Sequence, residues 1–303
     1  MSAVKSLTIN GYKSICDLVD LQLNKLNVLI GANGAGKSNF LGVFRLLNNI
    51  YEQQLNIHLP KKGGPDALLH FGRRTTSKLH VEIYFDTFGY LLDLIPTDDN
   101  RLIFECELSC ENPALTSKSL NNLSNEEAAL FSNQITSHKK ILLGKGHEES
   151  KLKTAKDIYS LSVGTSLGDW RVYHFFDTGD SAKVKQVHQV NDNLHLKTDA
   201  ANLGAYLRML KIKYEGEYQR IVDSIRLVAP FFGDFIHRTG DIQHLELEWS
   251  SKNQPDTPYK AHMLSDGTLR FICLATLLLQ PIELLPHTIL IDEPELGLHP
   301  YAI

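Results

Sequence analysis

One octapeptide constrains this chain more than any other segment: Gly31-Ala32-Asn33-Gly34-Ala35-Gly36-Lys37-Ser38. Its glycines free the backbone to enter the left-handed region and turn successive N–H groups toward one centre. The apolar run Leu26–Ile30, broken only by Asn27, leads into it. Ser38–Ile50 leaves it with Phe40, Leu41, Phe44, Leu47 and Ile50 at helical spacing. The expected local order is therefore a buried parallel strand, a glycine turn and a helix. A ring of N–H groups at a helix N-terminus attracts phosphate, and Gly-x4-Gly-Lys-Ser is the P-loop spacing. In that reading Gly31 to Asn39 cradle a nucleotide, Lys37 reaches its β and γ phosphates, and the Ser38 hydroxyl binds Mg²⁺. The competing reading is a chance glycine turn, which the flanking elements argue against.

Two further motifs lie far downstream. Ile289-Leu290-Ile291 is an apolar, strand-like run that delivers Asp292-Glu293. Asp292 is expected to hold Mg²⁺, and Glu293 to orient and deprotonate an attacking water. Leu264-Ser265-Asp266-Gly267-Thr268 precedes the apolar helix Thr268–Leu279. Alone it is an ordinary turn and helix cap. One helix ahead of Asp292 in a P-loop chain, Ser265 and the Gly267 backbone are read instead as donors to the γ-phosphate of a nucleotide on another subunit, with Asp266 between them in the same nucleotide-binding segment. The chain is thus expected to be an ATPase, with ATP and Mg²⁺ as cofactors, that works as a head-to-tail homodimer around two ATP.

The bulk numbers fit this. A chain of 303 residues with 22% charged residues is globular in type, and its net charge of −4 confines DNA binding to a local patch. Four scattered cysteines (Cys16, Cys106, Cys110, Cys273) without a CxxC pair read as reduced thiols, and the histidines form no metal-spaced cluster. The N-terminus lacks the apolar core of a signal peptide, and the longest apolar run, Phe271–Leu279, is too short to span a bilayer. A cytoplasmic protein with no membrane contact is expected.

The coarse pattern gives an α/β fold. Val4–Asn10 and Leu18–Leu23 read as strands, and Lys78–Phe85, Tyr90–Ile95 and Leu102–Cys110 as successive antiparallel strands. Residues 112–160 turn polar and read as a variable insertion in a core split into 1–110 and 161–303, with a short helix at 125–135 capped by Ser124. Trp170–Phe176 reads as a strand. Asp199 reads as the cap of a helix over 200–213, followed by a helix over 216–227. Ile242–Trp249 alternates as a strand, and Ser250–Pro258 reads as a loop. Tyr12, before Lys13 and Ser14, either stacks on a base or packs. His70 lies near where a γ-phosphate sensor belongs, His299 near the dimer seam, and Arg270 either couples two sites or is a surface cation. Lys61-Lys62, Arg73-Arg74 and Lys139-Lys140 read as solvated faces.

These residues resemble the ABC-type ATPase heads of the RecF and structural-maintenance-of-chromosomes group. Leu7-Thr8-Ile9-Asn10-Gly11-Tyr12-Lys13-Ser14-Ile15 looks like the opening strand and turn of those heads. Leu29–Phe40, Ala67–Gly72, Trp170–Asp177, Val228–Phe235 and Leu264–Ile303 are most similar to bacterial stand-alone RecF-like ATPases of the "AAA family". The resemblance implies a P-loop NTPase fold of ABC-head type over residues 1–303. It has a mixed parallel core sheet, an antiparallel β-subdomain and a helical insertion, and a further C-terminal part lies beyond Ile303. It also implies an ATP-sandwich dimer acting in DNA maintenance, repair or anti-phage defence beside a nuclease-like partner protein, with DNA a candidate ligand. The alternatives are a transport ATPase subunit, or the ATPase part of an overcoming-lysogenization-type nuclease. Asp266 stands where transporter signatures carry glycine, and no long coiled coil separates Lys37 from Ser265, which argues against chromosome-scale tethering.

Overall fold

A computed structural model describes residues 3–60, 63–112, 139–238, 240, 243–295 and 298. The chain divides into two compact units, Met1–Trp170 and Arg171–Ile303.

The first unit is built on a six-stranded sheet in the order β2-β1-β3-β4-β5-β6. Its strands are β1 (Val4–Tyr12), β2 (Ile15–Gln22), β3 (Leu79–Phe85), β4 (Phe88–Pro96), β5 (Leu102–Glu111) and β6 (Lys140–Gly144), with antiparallel neighbours throughout. Strict alternation drives it. Leu79, Val81, Ile83 and Phe85 are all fully buried on one face of β3. The register sets Val81 beside Ile9 and Leu92. Helix α1 (Lys37–Tyr51) buries Leu41, Val43, Phe44, Leu46, Leu47 and Ile50, with the Phe44 ring 5.0 Å from Trp170. After the short α2 (Leu55–His58), α3 (Ile158–Gly168) packs on α1. A Cβ at Gly164 or Gly168 would fall 2.8 or 2.7 Å from the Tyr51 ring, so glycine sets that approach.

β6 falls inside the stretch read as an insertion, yet it completes the sheet. The segment after it carries Ser150 and Lys151 to the fully buried Glu107. That carboxylate accepts from Tyr90 Oη (2.6 Å), Ser150 Oγ (2.5 Å) and the Lys151 N–H (3.0 Å), and contacts His147 Nε2 at 2.8 Å. Polar composition hid a buried network. The helix expected over 125–135 lies outside the described residues.

The second unit has its own core. Strands β9 (Phe232–Phe235), β11 (Glu248–Ser251) and β12 (Gln254–Lys260) form an antiparallel sheet in the order β12-β11-β9. Helices α4 (Leu203–Lys213), α5 (Glu215–Val228) and α6 (Asp266–Leu279) supply most of the remaining core, with Trp249 stacked on Phe232 at 5.7 Å. Two short pairs complete it: β8 (His188–Gln189) with β10 (His244–Leu245), and β7 (Trp170–Tyr173) with β13 (Thr288–Ile291).

Four expectations need correction. Leu26–Ile30 is not a strand among the described residues, and Leu26, Val28 and Ile30 are 80%, 73% and 92% exposed. An apolar run becomes a parallel strand only when neighbours take its N–H and C=O groups. Here Asn27 instead closes a side-chain turn with Asn24. Ser250–Pro258 is not a loop but the β11–β12 hairpin. Almost every residue of β12 is exposed, so no alternation marks it, while Trp249 Nε1 donates to Lys260 O at 3.2 Å. α4 begins after Asn202 rather than Asp199. The Asp199 carboxylate caps an earlier turn at the Ala201 N–H (3.1 Å), and buried Asn202 ties Asp192, His195 and Lys197 together. The strand expected over Trp170–Phe176 ends at Tyr173, where the His174 N–H turns to Thr198 O.

Glu107→Ala leaves several buried donors without an acceptor, and urea unfolding should show a loss of about 3 kcal/mol. In the second unit, His237 sits against the Tyr218 hydroxyl (3.2 Å), and burial lowers its pKa to about 4. The neutral form is favoured on folding, so this contribution is full above the ordinary value of 6.5 and is lost as pH falls from 6.5 to about 4. His237→Gln should flatten the stability profile in that window.

Candidate functional site

In the first unit the site is assembled at the turn between β1 and β2. Lys13 has a positive φ of 46°, and its N–H donates to Leu68 O at 2.8 Å. The His70 N–H donates to Gly11 O at 3.0 Å, and His70 Nδ1 lies 2.5 Å from Lys13 O. Gly11 is required, because a Cβ there would fall 2.5 Å from Lys78 O. Tyr12 is buried, and a Cβ on Gly42 of α1 would lie 2.9 Å from its hydroxyl. The fold uses Tyr12 for packing, and burial pushes its hydroxyl pKa up. His70 serves to clamp the turn. The segment before it is held by Asp66, which accepts from the Arg73 N–H (2.8 Å) and Nε (3.1 Å). Those bonds keep the Asp66 carboxyl below the usual range and absorb one cation of the Arg73-Arg74 pair.

That turn presents Ser14 to the glycine loop. Gly36, with φ 95°, is the left-handed cap of α1, and a Cβ there would meet Ser14 Oγ at 2.9 Å. Asn39 Nδ2 donates to Ser14 Oγ at 2.8 Å. Gly34 also has a positive φ of 82°, in open space. Lys37 folds over the loop, its Nζ donating to Gly31 O (2.6 Å) and Ala32 O (3.0 Å). The first turn of α1 leaves N–H groups for an incoming anion. Glycine geometry, a helix N-terminus and a lysine amine at the loop mouth fit a phosphate chain. Gly31, Ala32, Asn33, Gly34 and Ala35 contribute backbone, Lys37 charge, and Ser38 a hard oxygen suited to Mg²⁺.

The second unit carries the other two motifs. Ser265 caps α6, accepting from the Thr268 N–H at 3.2 Å, with its Oγ 2.8 Å from Thr268 Oγ1. Asp266 lies in the first turn of α6, where a carboxylate complements the helix dipole. It pairs at 4.0 Å with Lys185, whose side chain is only 4% exposed. Arg270 Nη2 donates to Phe176 O at 2.6 Å, so it braces this segment rather than standing as a surface cation. Buried Cys273 on the same helix has its thiol pushed up to about 12, and all four cysteines are free.

Asp292 follows β13 directly, and its N–H donates to Tyr173 O at 3.1 Å. Glu293 follows, exposed and with φ 48°, a left-handed backbone that non-glycine residues rarely adopt. Strain of this kind holds a side chain at an angle that a relaxed strand end would not offer. His299 lies outside the described residues. Among the described residues no cluster of three or more His, Cys, Asp or Glu is placed to hold a metal, and no helix is long and apolar enough to cross a membrane. Lys185 and Arg45 escaped the sequence reading. Both resemble surface cations until burial is known.

A family model described as "AAA domain, putative AbiEii toxin, Type IV TA system" matches residues 26–303. The chain is 28% identical to "Structural maintenance of chromosomes protein 3" of Arabidopsis thaliana over 238 residues, covering 71% of this chain and 18% of that protein. It is 37% identical to "Urease accessory protein 2" of Cryptococcus neoformans var. grubii over 87 residues, covering 27% of this chain and 7% of that protein. The chain thus spans under a fifth of the length of either relative.

Gly36→Ala forces an alanine into left-handed backbone, at about 1–2 kcal/mol, and also sets its Cβ against Ser14. Gly34→Ala carries the backbone term alone. Urea unfolding should therefore show Gly36→Ala to be the more destabilised of the two.

Proposed function

The chain belongs to this AAA-domain ATPase family, of RecF/SMC-like type, and on that premise we propose that it is an ATP-binding and ATP-hydrolysing switch. The observation that supports the reading is the local setting of the three motifs: the glycine loop opens α1, Ser265 caps α6, and Asp292-Glu293 directly follows β13.

In this reading the N–H groups from Gly31 to Asn39 hold the phosphates, and Lys37 moves from the carbonyls of Gly31 and Ala32 to the β and γ oxygens. Ser38 and Asp292 are the residues that would hold Mg²⁺, which would supply positive charge to the phosphates when bound. Glu293 takes a proton from water as its oxygen attacks the γ-phosphorus, and ADP leaves as the bond to its β-phosphate oxygen breaks. Ser265 and the Gly267 N–H meet the γ-phosphate held by a second copy of the chain, so that ATP joins two heads and hydrolysis parts them. Similarity to a structural-maintenance-of-chromosomes protein supports the pairing. It also supports a role in DNA maintenance; repair or phage defence, with a nuclease-like protein or DNA reading the change, is part of the same proposal.

The test is the solution mass and turnover of Glu293→Gln. We expect tight ATP binding, hydrolysis reduced at least a hundredfold, and an ATP- and Mg²⁺-dependent doubling of mass that Ser265→Arg abolishes. Normal hydrolysis by Glu293→Gln would refute the assignment of the base. An unchanged mass would refute the paired head.

A further inference from the structure

The first unit contains a cleft of about 230 Å³ along one flank of α1. It starts at Ser38, the last residue of the glycine loop, and runs past Arg45 to Asn49, positions three to four residues apart on a single helix face. Leu55 and Leu68 contribute to an apolar wall, and Lys13 closes the near side. The lining carries two cations, Lys13 and Arg45, and no carboxylate. Arg45 is half-buried, and its Nη2 is sealed from solvent with no hydrogen-bond partner among the described residues. The neighbouring phenol does not neutralise it, because burial keeps Tyr12 protonated even though the Arg45 charge pulls the other way. A shielded guanidinium N–H without an acceptor is costly, and an oxygen brought to it by water or by a bound anion would relieve that cost.

We propose that this cleft is a second oxyanion site, adjoining the glycine loop and sharing Ser38 with it, that binds inorganic phosphate. The guanidinium fork of Arg45 gives directional donors to a tetrahedral anion, and the Lys13 ammonium adds a point charge. The apolar wall strengthens both by lowering the local dielectric. Because Ser38 belongs both to the loop and to the cleft, phosphate released at the loop meets Lys13 and Arg45 along α1. The origin of the phosphate rests on the function proposed above; the site itself does not.

The experiment is a ³¹P NMR titration of inorganic phosphate into the full chain saturated with Mg²⁺ and ADP, so that the glycine loop is occupied. We expect saturable phosphate binding beside retained ADP. Arg45→Met should weaken it at least tenfold while changing ADP affinity less than twofold, and Arg45→Lys should recover part of it. Should Arg45→Met fail to fold, Asn49→Asp places a repelling carboxylate at the far end and must weaken phosphate in the same way. Absence of saturable binding to the ADP-loaded protein, displacement of ADP by phosphate, or an unchanged affinity in the folded variants would each overturn the proposal. If ADP does not bind at all, the proposed function fails by itself. Phosphate titration in a Lys37→Met background, with and without Arg45→Met, then still decides the cleft.

Discussion

The glycine loop depends on a clamp that lies outside it. Backbone bonds from Lys13 to Leu68 and from His70 to Gly11 fix the turn between β1 and β2, and Tyr12 buries its ring beneath α1. Only then does Ser14 stand where it meets both Gly36 and Asn39. The loop is rich in glycine and has few contacts of its own, so its conformation is borrowed from this better-packed neighbour. The fully buried face of β3 within the sheet supplies the rigidity, and the close approach of Gly164 and Gly168 to Tyr51 holds the far end of α1.

The second unit follows a related logic with polar and charged side chains as the ties. Asn202, fully buried, satisfies three partners in the segment ahead of α4, and Asp234 gathers Tyr218 and Lys211. The signature segment at Ser265 is braced by Arg270 on Phe176 and by Lys185 beside Asp266. A lysine taken this far out of water is expensive unless it is matched. Here its match is an acid in the first turn of the helix whose N-terminus the site presents.

How much of this could be read from sequence divides along physical lines. Periodicity located β1, β3, β4, β5 and α1, because burial there follows the period of the element; α5 was bounded by the proline after it, and α6 was legible as an apolar run, with Ile272 to Leu277 all buried. The strand preceding the loop was misjudged because hydropathy reports greasiness and not the availability of a pairing partner. β12 was missed for the opposite reason, as a strand with almost no buried side chain leaves no trace in hydropathy. The residues proposed to carry chemistry stood out where chemistry demands a rare local pattern: glycine spacing before Lys37, and paired acids after Ile291. Arg45 and Lys185 stayed hidden because a buried cation looks, residue by residue, like an exposed one.

Lys37 has a consequence for how the loop behaves while waiting. Its ammonium already has two carbonyl acceptors, at Gly31 and Ala32. An arriving phosphate therefore does not find a naked charge. It must trade places with oxygens that the loop itself provides. In the proposed function, binding at such a socket would be an exchange of hydrogen bonds. A lone anion that could not also engage the N–H groups of the loop would gain little from the trade. A polyphosphate that reached amine and backbone together would gain the whole set, so the loop would favour ligands that reach several of its donors at once.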